Sequence, residues 1–153
     1  YNYSYTGKSI MSLYISGIPS DRINEVWEDC EPYIEMGNGK SRDEMSVMDI
    51  YARLSEARMQ LWLVFDDDKE IISVLTTEII EYPRKTTCRI VTLGGQDLDL
   101  WVEQLLETLE EWALENGCVA METICRKGFT KKLEKFGYEN AYTVLVKELT
   151  TIH

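Results

Sequence analysis

The stretch "QDLDLWVEQLLETLEEWALENG", residues 96 to 117, constrains this chain more than any other. Leu98, Trp101, Val102, Leu105, Leu106, Leu109, Trp112 and Ala113 recur on one helical stripe, Asp97 stands where a cap belongs, and Asn116-Gly117 ends the pattern. Short β-rich runs flank it, residues 86 to 93 before and 119 to 125 after. A strand, a long helix and a second strand in one sheet close by a right-handed crossover, which makes the two strands parallel. The chain must therefore build a sheet with a parallel pair and a helix packed over it.

The rest of the sequence fills in around that unit. Residues 13 to 15 read as a short strand stopping at Gly17. Behind a Ser20 or Asp21 cap, Ile23, Val26, Trp27, Cys30 and Ile34 fall at helical spacing, and Pro32 is expected to bend or break the last turn. A second helix is expected behind a Ser41 cap with Glu44 three residues on, carrying Val47, Ile50, Tyr51 and Leu54 on one face. From Leu61 the period changes to two, with a turn at residues 66 to 69 and a second β-rich run from Ile71. Asp66, Asp67 and Asp68 lack the ligand spacing of a calcium loop and read as a solvated turn. After the parallel pair come a helix over 127 to 136 closed by Gly137 and a final strand over 141 to 149. The expected order is β-α-α-β-β-β-α-β-α-β. That is an α/β (α+β) chain with a mixed, mostly antiparallel sheet and helices on both faces.

Its 153 residues suit one domain, taken as residues 11 to 150. Residues 1 to 10 read as a leader or appended extension, with a short extra strand as the other reading. Asp and Glu outnumber Lys and Arg by 27 to 16, so the averaged field repels phosphate backbones and anionic lipid; neither nucleic acid nor a membrane is an expected partner. Cys30, Cys88, Cys118 and Cys125 are scattered and the one histidine is His153, which argues against a metal site and a histidine-based triad. Free thiols in a reducing compartment fit a cytoplasmic location.

The element order, ending in "LEKFGYENAYTVLVKEL", resembles the Gcn5-related N-acetyltransferase superfamily, in which a helix ends in a short G-F or G-Y turn before an apolar last strand. "GCVAMETICRKGFTKKLEKFGY" is also similar to a degenerate, bacteriophage-encoded version of that domain. The resemblance implies that the strands before and after the long helix splay apart, and that the pantetheine arm of acetyl-CoA lies between them. It implies pyrophosphate binding by the stretch Val91, Thr92, Leu93, Gly94, Gly95 and Gln96. This stretch departs from the family's Q/R-x-x-G-x-G/A loop, and Gly94-Gly95 reads as a turn or as a phosphate cradle. The family's tyrosine general acid falls on Leu133, which has no proton to give.

Arg126, Lys127 and Lys131 concentrate positive charge on one short helix of an acidic chain. They form a solvated face, hold the CoA phosphates, or dock an acidic protein partner. Glu78, Glu81 and Glu122 are the candidates for deprotonating an acceptor amine. Glu122 shares a strand face with Ala120 and Ile124, or is an exposed-face glutamate. Two functions follow from the resemblance: an acyl-CoA-dependent N-acyltransferase with an unknown amine acceptor, or a non-catalytic member of the fold acting as an assembly or host-protein-binding module, with room for a homodimer.

Overall fold

A computed structural model describes residues 3–8, 12–39 and 41–150. Strands β1 (Tyr3–Lys8) and β2 (Ser12–Ile18) lead into helices α1 (Ile23–Asn38) and α2 (Val47–Ser55). Strands β3 (Gln60–Phe65), β4 (Ile71–Glu81) and β5 (Thr86–Gly95) follow, then α3 (Leu98–Glu115), β6 (Ala120–Thr123) and α4 (Lys127–Glu134). The six strands lie side by side in chain order. The first five pair antiparallel, and β6 pairs with β5 in parallel, as the crossover through α3 requires.

Two cores sit on opposite faces of the sheet. On one, α3 sets Trp101, Val102, Leu105, Leu106, Leu109 and Trp112 against Leu13, Ile15, Trp62, Val64, Leu75, Cys88 and Ile90, and α4 adds Leu133. On the other, Ile23, Cys30 and Ile34 of α1 with Ile50 and Leu54 of α2 cover Leu61, Leu63 and Val74. Strand β3 thus alternates Leu61 and Leu63 to one core and Trp62 and Val64 to the other, which explains its unbroken apolar run.

Several expectations are revised. Residues 3–8 form strand β1, the second of the two readings offered for the first ten residues. Helix α1 runs through Pro32 to Asn38. Helix α2 starts later than Ser41 and Glu44 suggested: Ser46 Oγ accepts from Asp49 N–H while Asp49 accepts from Ser46 N–H, a capping box one turn downstream. Between Phe65 and Ile71, Asp66 Oδ1 accepts from the N–H groups of Asp68 and Glu70, so that carboxylate serves the turn. Helix α4 ends at Glu134, and Gly137, at φ +89°, turns the chain while Tyr138 N–H donates to Leu133 O.

The largest departure is at the carboxyl end. No strand forms over residues 141–149; the backbone there is irregular and exposed, although the sequence reads as a strand.

Candidate active site

The parallel pair is short because β5 changes course. Thr87, Cys88, Arg89 and Ile90 pair with Ala120, Met121, Glu122 and Thr123, and the pairing stops there while β5 continues to Gly95. Thr77 pairs with Ile90 but Thr76 with Thr92, so Val91 is an extra residue on β5 immediately past the last rung. Such a bulge bends and twists the strand that carries it. Beyond Thr123, whose hydroxyl donates to Ile90 O at 3.0 Å, the chain turns away into α4. The two strands therefore part beyond Ile90 and Thr123: β5 runs on to Gly95 and the start of α3, while the chain after β6 enters α4.

The residues expected to hold a cofactor divide on inspection. Thr92 is buried, its N–H donating to Thr76 Oγ1 at 3.2 Å and its hydroxyl paired with the same atom at 2.7 Å. Gly94 and Gly95 do not form a turn; they are the last residues of β5, paired with Val74 and Ser73. A Cβ on Gly94 would lie 2.0 Å from Tyr33 O, and one on Gly95 would lie 2.6 Å from Ser73 Cβ. Both glycines let backbone and side chain of neighbouring elements approach β5, a use of glycine the sequence did not separate from a phosphate cradle. Gln96 N–H donates to Ile72 O at 3.0 Å and its carbonyl accepts from Trp101 Nε1 at 2.6 Å. Val91 and Leu93, past the last rung of the parallel pair, are half-buried, Val91 against the α1–α2 core and Leu93 against the α3 core.

At the mouth, Asp97 adopts a left-handed conformation (φ 52°, ψ 45°) and makes no side-chain cap bond. The first turn of α3 is therefore not capped by the aspartate the sequence nominated. Its positive end is approached instead by α4: Lys132 Nζ lies 3.3 Å from Asp99 Oδ1. Arg126, Lys127 and Lys131 are exposed on and just before the same helix. Lys132, which the sequence places with Lys131 and Lys135 on the outer face of this helix, turns instead toward α3; it stands one residue before Leu133, which is buried in the α3 core. Phe129 packs half-buried on that same core, and Tyr138 hydroxyl donates to Glu110 Oε2 at 3.2 Å. Burial, then the Glu110 charge, pushes the Tyr138 phenol well up, so this hydroxyl ties α4 to α3 as a neutral donor.

The three carboxylates do not converge. Glu81 is exposed at the end of β4. Glu78 faces Arg53 of α2 at 3.8 Å. Glu122, one residue before the strands part, accepts from Thr87 Oγ1 at 2.6 Å and from Tyr82 hydroxyl at 3.0 Å, with Arg89 Nη2 at 3.6 Å. Its expected apolar surroundings are absent, because Ala120 and Ile124 are exposed. Burial raises the Glu122 pKa, but the bonds from Thr87 and Tyr82 and the Arg89 charge outweigh it and hold the carboxyl below its ordinary range.

A depressed carboxylate pKa contributes stability that is complete above the unfolded value and lost as pH falls through the folded one. Thermal melts of the protein and of Glu122→Gln should thus differ most near neutral pH, and the difference should shrink as pH falls below the ordinary carboxylate range. A pH-independent difference would contradict this account of the Glu122 cluster.

No family model matches the chain, and no curated protein matches it in sequence. Solved structures do. An aminoglycoside acetyltransferase from an uncultured soil metagenomic sample superposes with a TM-score of 0.70 at 11% identity, covering 92% of this chain and 100% of the other. The aminoglycoside 6'-N-acetyltransferase AAC(6')-Ih of Acinetobacter baumannii gives 0.65 at 12% identity, covering 91% and 99%. A GNAT family acetyltransferase of Staphylococcus aureus gives 0.61 at 15% identity, covering 91% and 100%. Crossover, bulge, parted strands and these superpositions agree: the chain has the fold of the Gcn5-related N-acetyltransferase superfamily.

Proposed function

We propose that the protein is an acyl-CoA-dependent N-acyltransferase that takes acetyl-CoA as donor and a cationic amine as acceptor. One observation carries the reading: β5 and β6 part at the Val91 bulge, and β5 runs on from there to the start of α3, where Asp97 makes no side-chain cap bond. The residues present fit an extended, anionic donor. An extended arm follows β5 past Val91 and Leu93, and the helix start offers backbone donors and a positive dipole end to phosphate. Lys131 and Lys132 of α4, with Arg126 and Lys127 at its start, supply the cations that a glycine loop with arginine would otherwise provide. The bound donor supplies an activated thioester, from which the amine takes the acyl group as the carbon–sulfur bond breaks and CoA thiol and a proton are released.

The chain's own contribution is binding and charge placement. Backbone N–H groups along the diverging edge of β5 can polarise a carbonyl placed there. Glu122 stays ionised at neutral pH and attracts an ammonium group; Tyr82 and Thr87 hold its orientation. Of the three candidate carboxylates it alone stands at the point of divergence. The net charge of −11 favours a cationic acceptor over an anionic one. Aminoglycoside acetyltransferases among the similar structures point to the same class of acceptor.

A second reading, a non-catalytic member of the fold, rests on Leu133. That residue is buried where the family places its tyrosine, so release of the CoA thiolate lacks a side-chain acid there. Incubation with acetyl-CoA and an aminoglycoside, an amino sugar or a lysine peptide separates the two readings when products are weighed by mass spectrometry. Transfer to at least one amine is expected, with Glu122→Gln slowing it about 10²-fold or more. Absence of an acetylated product from every amine would favour the silent module.

A further inference from the structure

Arg89 stands in the candidate site with its hydrogen bonds largely unmade. It is the middle of a rung of charged residues on three adjacent strands, opposite Glu78 of β4 on one side and Glu122 of β6 on the other. Residues directly opposite one another share a sheet face, so with Arg53 of α2 beyond Glu78 the charges alternate along the α2 side of the sheet. Both carboxylates are already engaged. Glu78 turns to Arg53 at 3.8 Å, while Glu122 accepts from Thr87 Oγ1 and from the Tyr82 hydroxyl, which reaches its two oxygens at 3.0 and 3.2 Å. What remains for the guanidinium is long: Arg89 Nη2 lies 3.6 Å from Glu122 Oε2 and 3.5 Å from the Tyr82 oxygen. Its Nε is buried and, among the described residues, has no partner.

A guanidinium presents five N–H donors in a planar fork that matches a carboxylate two at a time. A buried donor left unmade is costly, and in a folded protein it calls for an explanation. Closure onto Glu122 does not supply one, since Tyr82 and Thr87 already fix that carboxylate. The cluster is nevertheless open to a ligand: the Arg89 and Glu122 side chains keep 31% and 30% of their surface exposed, with Tyr82 exposed beside them. Long contacts at Nη2 leave the fork free to turn, and a turn toward that opening presents Nε and Nη2 side-on to an anion.

We propose that Arg89 and Glu122 together form a subsite for a zwitterion, in which Glu122 takes the ammonium of the acceptor and Arg89 a carboxylate next to it, so that the acceptor is an α-amino acid. This rests on the reading of Glu122 as the partner of the ammonium, and it narrows the acceptor, not the donor. An α-amino acid carries both charges on one carbon, which suits two protein groups on paired residues of neighbouring strands. A basic side chain fits best, because the amino acid then stays a cation toward a chain of net charge −11.

Calorimetric titration of L-lysine and of L-lysinamide tests it, each alone and with CoA present, into the full chain, Arg89→Gln and Arg89→Lys. The amide lacks the carboxylate and is the more cationic of the two, so the averaged field of the protein favours it. Lysine should nonetheless bind at least about tenfold more tightly, the effect of one hydrogen-bonded charge pair. Arg89→Gln should erase that preference or invert it, and Arg89→Lys, which keeps the charge without the fork, should retain only part of it. Equal affinity for the two ligands overturns the proposal, and so does failure of both to bind under either condition. An undiminished preference in a folded variant overturns it too; if Arg89→Gln does not fold, Arg89→Lys decides. The donor is tested apart from this: a protein that prefers lysine to its amide but does not bind acetyl-CoA would keep the subsite and lose the transferase reading.

Discussion

Replacing Gly94 by alanine should destabilise the protein by about 3 kcal/mol or more, at the upper end of what overpacking costs. The new methyl would fall 2.0 Å from Tyr33 O, 3.0 Å from Tyr33 C and 3.2 Å from Gly37 N. All three are backbone atoms of α1, so no side chain can swing aside, and α1 must lift from β5. Gly37 makes the reciprocal demand, since a Cβ there would lie 2.9 Å from Leu93 N. For a chain of this size each kcal/mol lowers Tm by about 2–4 °C, so a thermal melt of Gly94→Ala should shift down by roughly 6–12 °C. An unchanged Tm with lost acetyl-CoA binding would return Gly94 to the role of a phosphate cradle.

The second large effect is expected at Trp62. Its side chain is fully buried between the sheet and α3, its ring meets that of Trp112 edge-on at 5.2 Å, and Nε1 donates to Thr77 Oγ1 at 3.0 Å. Thr77 Oγ1 in turn donates to Gln60 Oε1 at 2.9 Å, so the indole N–H is one link of a short buried relay. Trp62→Ala removes the largest side chain of β3 and should cost about 3–5 kcal/mol, seen as an earlier denaturation midpoint with little change in slope. Trp62→Phe should recover most of the packing but leave Thr77 without its donor, and so fall between the two. If Trp62→Phe is as damaging as Trp62→Ala, the hydrogen bond outweighs the volume, contrary to this account.

Elements carrying a strong period were legible in the sequence. The stripe from Leu98 to Ala113 specified α3 and, through its flanking strands, the one parallel pair of the sheet. What escaped was whatever depends on contacts between distant segments. Gly94-Gly95 signals backbone freedom in any sequence; only the arrival of α1 at Tyr33 shows that space, not a turn, was the requirement. Asp97 has the composition of a cap, but its left-handed backbone carries the carboxylate away from the donors it would serve. Ser41 and Ser46 both open plausible capping boxes, and the choice fell to the one that lets Ile50 and Leu54 reach the α1 core. The Val91 bulge leaves no compositional trace, because a bulge is a property of pairing register.

The candidate site was legible in part for the same reason. Glu122 could be nominated because a carboxylate two residues from Ala120 and Ile124 interrupts an apolar strand face. Its partners Tyr82, Thr87 and Arg89 come from β5 and the turn before it and could not be assigned to it. Glu78 looked equivalent along the chain, yet the approach of α2 ties it to Arg53. The basic residues were visible as a cluster, and their position beside the start of α3 became clear only through the Lys132–Asp99 contact. The final strand expected over residues 141–149 does not form; the segment is irregular and exposed, because β propensity along the chain does not decide whether a strand finds a partner.

Under the proposed function, acetyl-CoA binds where β5 and β6 part past the Val91 bulge, between the start of α3 and the α4 lysines. Calorimetric titration of acetyl-CoA into the purified protein tests it most directly, with Lys131→Glu/Lys132→Glu titrated in parallel. Saturable binding that raises stability by about 2.7 kcal/mol at a hundredfold excess over Kd is expected. The double charge reversal, made at exposed Lys131 and at Lys132 beside Asp99, should keep the fold and weaken binding at least tenfold. Absence of heat and of any Tm change at millimolar acetyl-CoA would contradict it.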